Sequence, residues 1–183
     1  MSRLPAITRD ALAPEDQAVW DRIAAVRAGV RAGAGGPFGV LMHVPALADR
    51  VAALEDYFRF SAALPPPDRE LVILASAREM GARYPWTRHE ARGRELGTRA
   101  EAIETVRANG PLNALTPRER LLVEVARALL RERRLSDELF VRALAELGRR
   151  QLVETVVLTG HYSLVGLVVN GFDVAAPQGS ATF

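Results

Sequence analysis

Residues 65–97, PPPDRELVILASAREMGARYPWTRHEARGRELG, decide the fold. The triple proline Pro65-Pro66-Pro67 cannot continue any preceding helix. Asp68 is placed to cap the run Arg69–Met80, whose residues are mostly good helix formers, and Gly81 ends it. A second helix opens near Pro85, a favourable first-turn residue, and runs to Leu96 before Gly97 stops it. With Ala82-Arg83-Tyr84 as the link, the two form a helical hairpin.

Two titratable side chains face each other across this hairpin. Glu70 shares a helix face with Ile73, Leu74 and Ala77, so its carboxylate points toward apolar neighbours. Burial without a cationic partner would raise its pKa and favour a protonated or proton-sharing role. The plainer reading is a first-turn carboxylate that complements the helix dipole and stays solvated. His89 lies on one stripe with Trp86, Gly93 and Leu96 and faces the first helix, within reach of Glu70. A single His on an apolar stripe is more often a satisfied core residue than a catalyst, so spacing alone does not establish a site.

The start R-E-L-x-I-L of the first helix, the Y-x-W-x-x-H of Tyr84, Trp86 and His89, and the following A-R-x-x-E-x-G resemble the carboxymuconolactone decarboxylase family, which includes the alkylhydroperoxidase-D-like proteins. In the peroxidase branch the pattern is Glu, eleven residues, Cys, two residues, Cys, three residues, His. Laid on this chain, Glu and His fall on Glu70 and His89, and the two cysteines fall on Ala82 and Pro85. The chain has no cysteine at all. A dithiol peroxidase needs an attacking thiolate and a resolving thiol, so that chemistry is excluded. The decarboxylase branch usually carries an acidic residue where this chain has Pro85. The resemblance implies an all-α, alkylhydroperoxidase-D-like bundle around the hairpin, assembling through apolar helix faces into trimers or hexamers.

Composition agrees with a globular chain. Its 183 residues suffice for one substantial core, a single domain over 1–183, with 49% hydrophobic and 25% charged residues. Basic residues number 24, all arginine, against 22 acidic ones, for a net charge of +2. Arginine and glutamate are interleaved, so no basic face for nucleic acid stands out. The absence of cysteine removes any disulfide framework or thiolate metal site. Three histidines at 43, 89 and 161 have no short metal-ligand spacing, so neither a metal nor another cofactor is expected. MSRLPAITRDALAP lacks an apolar signal core, which makes the cytoplasm the default compartment.

Elsewhere the chain punctuates itself as helices. Residues 1–13 read as an irregular arm, and a first helix runs from Pro14 to Ala28, with Val19, Ile23 and Val26 on one stripe beside Trp20. A glycine-rich turn covers 29–37 and a short apolar run covers Phe38–Met42. Pro45 begins a helix to about Leu64 with Val51, Leu54, Phe58 and Ala62 inward. A short helix follows to Arg107, stopped by Asn109-Gly110-Pro111. Thr116-Pro117-Arg118-Glu119 is a capping box that opens a helix to about Arg134. Ser136 caps Asp137–Leu147, ended by Gly148. Gln151–Phe172 is apolar and long enough to span a bilayer, but Glu154, His161 and Asn170 interrupt it, so a packed core helix is expected and not a membrane span. The tail 173–183 reads as mobile or strapped over a neighbour. Nowhere does polarity alternate with period two, and the chain reads as all-α. Arg69-Glu70-Leu71-Val72 also echoes Arg118-Glu119-Arg120-Leu121 at an offset of 49, which suits a duplicated helical unit.

These readings lead to two functions. The first is a cofactor-independent enzyme acting on a small carboxylated lactone or ring acid, with His89 as acid/base and Glu70 orienting it or sharing its proton. Arg88 or Arg69 would clamp a carboxylate, Tyr84 and Trp86 would shape the pocket, and His43 and His161 are further binding candidates. The second is a non-catalytic, ligand-binding or structural oligomer, which the proline at position 85 favours.

Overall fold

The computed structural model describes residues 2–5, 7–26, 36–180 and 182–183, and no strand occurs among them. Its helices are α1 (Pro14–Val26), α2 (Gly36–Leu41), α3 (Pro45–Phe60), α4 (Pro66–Glu79), α5 (Arg83–Glu95), α6 (Ala100–Ala108), α7 (Pro117–Arg131) and α8 (Asp137–Gly171). The expected glycine-rich turn falls largely on residues 29–35, and the end of the first helix on 27–29, all outside the described residues.

Two compact units are distinguishable: Met1–Ser61 with Val168–Ala175, and Ala62–Leu167 with Ala176–Phe183. In the first, α3 packs on α1 and α2. Leu12, Ile23, Phe38, Leu41, Met42, Ala48, Val51 and Ala52 form its core. The apolar run at Phe38–Met42 is therefore a helical turn, because α2 takes in Phe38–Leu41. Leu54, expected inward, is 36% exposed, and Ala48 and Ala52 complete the buried face instead. Arg3 in the N-terminal arm donates its backbone N–H to Phe172 O at 2.8 Å and pairs with Asp173.

In the second unit α4 is the hub, packing on α5, α6 and α7. Residues 69–77 of α4 are all buried, which is why this helix carries no amphipathic stripe. It begins earlier than expected. Pro65 is the N-cap and Pro66 and Pro67 occupy the first turn, where a missing N–H would have had no partner in any case. Asp68 therefore does not cap; its carboxylate accepts from Arg118 Nε at 2.7 Å, tying the starts of α4 and α7 together. Likewise α5 opens at Arg83 with Ala82 as N-cap, so the hairpin link is shorter than Ala82–Tyr84.

The Thr116–Glu119 capping box is present in full, and α7 ends at Arg131. Ser136 Oγ accepts from Leu139 N, and within α8 Gly148 leaves helical geometry at φ 67°, ψ 173°. That left-handed φ suits glycine and separates the two helical segments foreseen there. The second segment makes α8 long and apolar enough to cross a membrane by length and composition, with 56% of its most apolar window buried inside the protein. Glu154 on this segment accepts from the backbone N–H groups of Ala63 and Leu64, at 3.0 and 2.8 Å. The tail's end is seated on its own unit: Phe183 meets Trp86 edge to face, and Arg107 donates to Thr182 O.

Candidate functional site

Glu70 and His89 do meet. In the second turn of α4, Glu70 is 1% exposed, and its Oε2 lies 2.6 Å from His89 Nδ1 on α5. The helices approach closely here because α5 carries Gly93 opposite Glu70; a Cβ at Gly93 would sit 3.4 Å from Glu70 Cβ and 3.2 Å from Thr98 Oγ1. The solvated first-turn reading of Glu70 is thereby overturned.

The condition for a raised pKa, burial without a cationic partner, is not met either. Glu70 Oε1 lies 3.3 Å from Arg69 Nε and 3.4 Å from Arg92 Nε. Burial acts to raise the Glu70 pKa, but the charge and hydrogen bond of His89, then Arg92 and Arg69, outweigh it and hold the carboxyl below its ordinary value. Glu70 is thus the ionised, orienting member of the pair and not a proton donor. An ionised Glu70 accepts only, so His89 Nδ1 carries the proton and donates to it.

Tyr162 on α8 completes the row. Its hydroxyl is 2.8 Å from His89 Nε2, and the two rings meet edge to face with centroids 5.0 Å apart. With the imidazole proton on Nδ1 alone, Nε2 is an acceptor and the Tyr162 O–H donates to it. Both ring nitrogens are therefore held by side chains, with the imidazole 16% exposed. Sequence reasoning passed over Tyr162 and Arg92. Arg92 was within its reach, one turn on from His89 along the same helix face. Tyr162 was marked only by its phenol inside an apolar helix, beside the more conspicuous His161.

The remaining candidates scatter. Arg69 is buried against Glu70, and its Nε faces the protein's own carboxylate. Arg88 is exposed, and its charge bears on Tyr84, whose phenol burial pushes up and Arg88 pulls back. Trp86 is a core residue and not a pocket wall: it is fully buried, donates Nε1–H to Glu90 at 3.1 Å and lies under the Arg107 guanidinium. His161 is 4% exposed, and its ring meets that of Tyr162 edge to face. His43 belongs to the first unit, is exposed, and has Nε2 3.0 Å from Pro5 O. Among the described residues no group of three or more His, Asp or Glu is arranged to hold a metal ion. A cleft of about 310 Å³ lies by α7 and the start of α8, with Arg127, Arg131 and Arg142 in its wall. Glu79 and Glu124 already pair with these arginines, so the cleft offers no ready clamp for a substrate carboxylate.

Comparison with known proteins supports this architecture. No curated protein matches the sequence. The fold is similar to that of a crystal structure described as an alkylhydroperoxidase AhpD core, an uncharacterized peroxidase-related protein from Ralstonia eutropha JMP134, with a TM-score of 0.79 at 20% identity over 97% of this chain and 93% of that one. Residues 45–129 match the model of the carboxymuconolactone decarboxylase family, a span that includes Glu70, His89 and the hairpin between them. Residues 45–129 of this chain thus resemble the carboxymuconolactone decarboxylase family, within an all-helical fold similar to the alkylhydroperoxidase AhpD core and a sequence without cysteine.

Proposed function

We propose that this protein is a cofactor-independent acid/base enzyme acting on a small carboxylated lactone or related ring acid, as a cytoplasmic homo-oligomer. The observation that carries the reading is the buried, ionised Glu70 held 2.6 Å from His89 Nδ1. A carboxylate so placed fixes the imidazole's orientation and tautomer, which is what a proton-transfer site needs. Loss of CO2 from a carboxylated lactone leaves an electron-rich dienolate that must be protonated on carbon. The imidazolium of His89, balanced by Glu70, is the proton store for that step. Arg88, exposed near Tyr84, is the arginine best placed among the candidates to meet a substrate carboxylate, since Arg69 and Arg92 are turned to Glu70.

A second reading, a ligand-binding or structural family member, draws on Pro85. This residue is buried in the first turn of α5 and puts no functional group where the family's active branches have one. One experiment separates the two readings: CO2 release and ultraviolet loss of 4-carboxymuconolactone by the wild type beside His89→Ala of matched oligomeric state. Turnover that falls by at least about 100-fold in the variant supports the enzyme. No turnover above buffer by a folded wild type removes this substrate and favours the binding reading.

A further inference from the structure

The second segment of α8 is apolar on two sides. One face is core, with Leu158, Tyr162 and Val165 buried. The other carries Val153, Val157, Leu164 and Leu167, which are 60%, 41%, 40% and 63% exposed, and Gly160, exposed as well. A helix apolar all round belongs inside a larger body. The five positions follow one another in steps of four, three, four and three residues, the spacing of a seam that another helix fills. All five lie in the second compact unit, and none carries a charge.

Gly160 points to what covers this stripe. Glycine weakens a helix interior relative to alanine, so its presence there needs a reason. The chain itself supplies none, because a Cβ at Gly160 would meet nothing within 4 Å. Gly166, on the buried side, differs: a Cβ there would lie 2.9 Å from Met80 Cβ. A glycine that the fold does not require, in the middle of an exposed seam, is what a close crossing with an external helix requires.

We propose that the stripe is a two-fold interface between copies of this chain, in which two α8 helices run antiparallel and cross at Gly160. Val153 and Leu167 stand seven residues either side of Gly160. An antiparallel pair therefore sets Val153 against Leu167 of the second copy, Val157 against Leu164, and glycine against glycine. Matching each valine with a leucine keeps the axes evenly spaced on both sides of the crossing. A parallel pair would oppose Val to Val at one end and Leu to Leu at the other, and splay. The stripe exposes on the order of 400 Å² per copy, roughly 800 Å² in a pair, and half-buried Val156 and Ser163 on its flanks extend it toward the ~1,000 Å² at which specific interfaces begin. A membrane surface calls instead for a broad apolar face, not a narrow seam with glycine at its centre. This interface rests on the homo-oligomeric part of the reading above, to which it gives a surface, and is independent of the acid/base chemistry.

Because the chain has no cysteine, introduced thiols report their own neighbours. Across an antiparallel crossing the two copies of residue 153 lie 14 residues apart along the seam, about 21 Å, while residue 153 of one copy faces 167 of the other. With a short bis-maleimide, Val153→Cys/Leu167→Cys should form covalent dimers at least about 10-fold faster than either single variant, with peptides 153 and 167 joined. Single variants that cross-link as fast as the double one overturn the antiparallel crossing. In sedimentation equilibrium, Leu164→Glu and Gly160→Leu should each halve the mass of the wild-type assembly or raise its dissociation constant at least about 10-fold. Both positions are exposed, so circular dichroism should match the wild type. Gly160→Leu is the sharper variant, since it adds apolar surface and would strengthen any association that needs only apolarity. Unchanged mass in both variants overturns this interface and leaves the homo-oligomer to another face. A wild type monomeric up to about 100 μM overturns the interface and the homo-oligomer together. A monomer that sediments with anionic phospholipid vesicles, Gly160→Leu more so than wild type, gives the stripe to a membrane instead and overturns the pairing.

Discussion

The starts of α4 and α7 share the dipeptide Arg-Glu after a proline, 49 residues apart, and use it in opposite ways. In α7, Thr116 is the N-cap and Glu119 the third helical residue, so the carboxylate reaches back to Thr116 N at 2.8 Å and closes the capping box. It also takes two bonds from Arg99, whose side chain is 41% exposed. In α4, Pro65 is the N-cap, which makes Glu70 the fifth helical residue, beyond reach of the helix start. Turned into the protein, it meets His89, Arg69 and Arg92. Two residues of helix phase convert a local capping group into the buried anion of a candidate site.

Alanine at the two positions should give the widest contrast. Glu70→Ala removes the carboxylate that faces Arg69, Arg92 and the His89 N–H, and losing one partner of a buried ion pair costs about 3–5 kcal/mol. Glu119→Ala removes a cap and a surface ion pair, together about 1–2 kcal/mol. Urea midpoints at neutral pH measure both, and turnover should vanish only in the first. Equal destabilisation would break the comparison by showing that helix phase does not separate the two carboxylates energetically.

Acid should sharpen it. Both carboxyls are held below their ordinary pKa, Glu70 by His89, Arg92 and Arg69 against its burial, Glu119 by Arg99 and Thr116 against its own. A depressed folded-state pKa contributes stability that is present above the unfolded value, about 4.3 for Glu, and is lost as pH falls through the folded value. The wild type should therefore lose stability from about pH 4.3 downward. Glu70→Gln should flatten that limb, so that wild type and variant differ most at neutral pH and converge in acid. Glu119→Gln should change the limb less, because its partner Arg99 is screened by water. Melting temperatures from about pH 2.5 to 7 would decide it; a Glu119→Gln limb as flat as that of Glu70→Gln would count against the burial argument.

The same contrast explains what was legible in the sequence. Punctuation written into a few adjacent residues was readable: Gly81 and Gly97 end α4 and α5, left-handed Asn109 ends α6, Thr116–Glu119 opens α7 and Gly148 divides α8. Glu70 and His89 were readable as a pair because they lie on facing stripes of one hairpin. The Asp68 cap was misread because consecutive prolines can themselves form a first turn, and only the tertiary pairing of Asp68 with Arg118 shows which option the chain takes. Tyr162 was beyond local reasoning: 73 residues separate it from His89, and the close approach at Gly166 that joins them is a property of packing.

The smallest effect tests whether the two helix starts are independent. Thr116→Ala removes the acceptor for Glu119 N, a bond of 3.3 Å, while the reciprocal bond from Thr116 N to the Glu119 carboxylate survives. The cost should sit at the low end for a lost cap, about 0.5–1 kcal/mol. Combined with Glu119→Ala it should cost less than the sum of the singles, since each half of the box fixes the other, with a coupling of about 0.5 kcal/mol. Combined with Glu70→Ala it should simply add, because no group is shared between the capping box and the Glu70 cluster. Asp68–Arg118 bridges the helix starts, and neither substitution removes it. A coupling between Thr116 and Glu70 as large as that inside the box would mean that strain at the start of α7 passes through this bridge into α4, and that the capping box helps to set the geometry around His89.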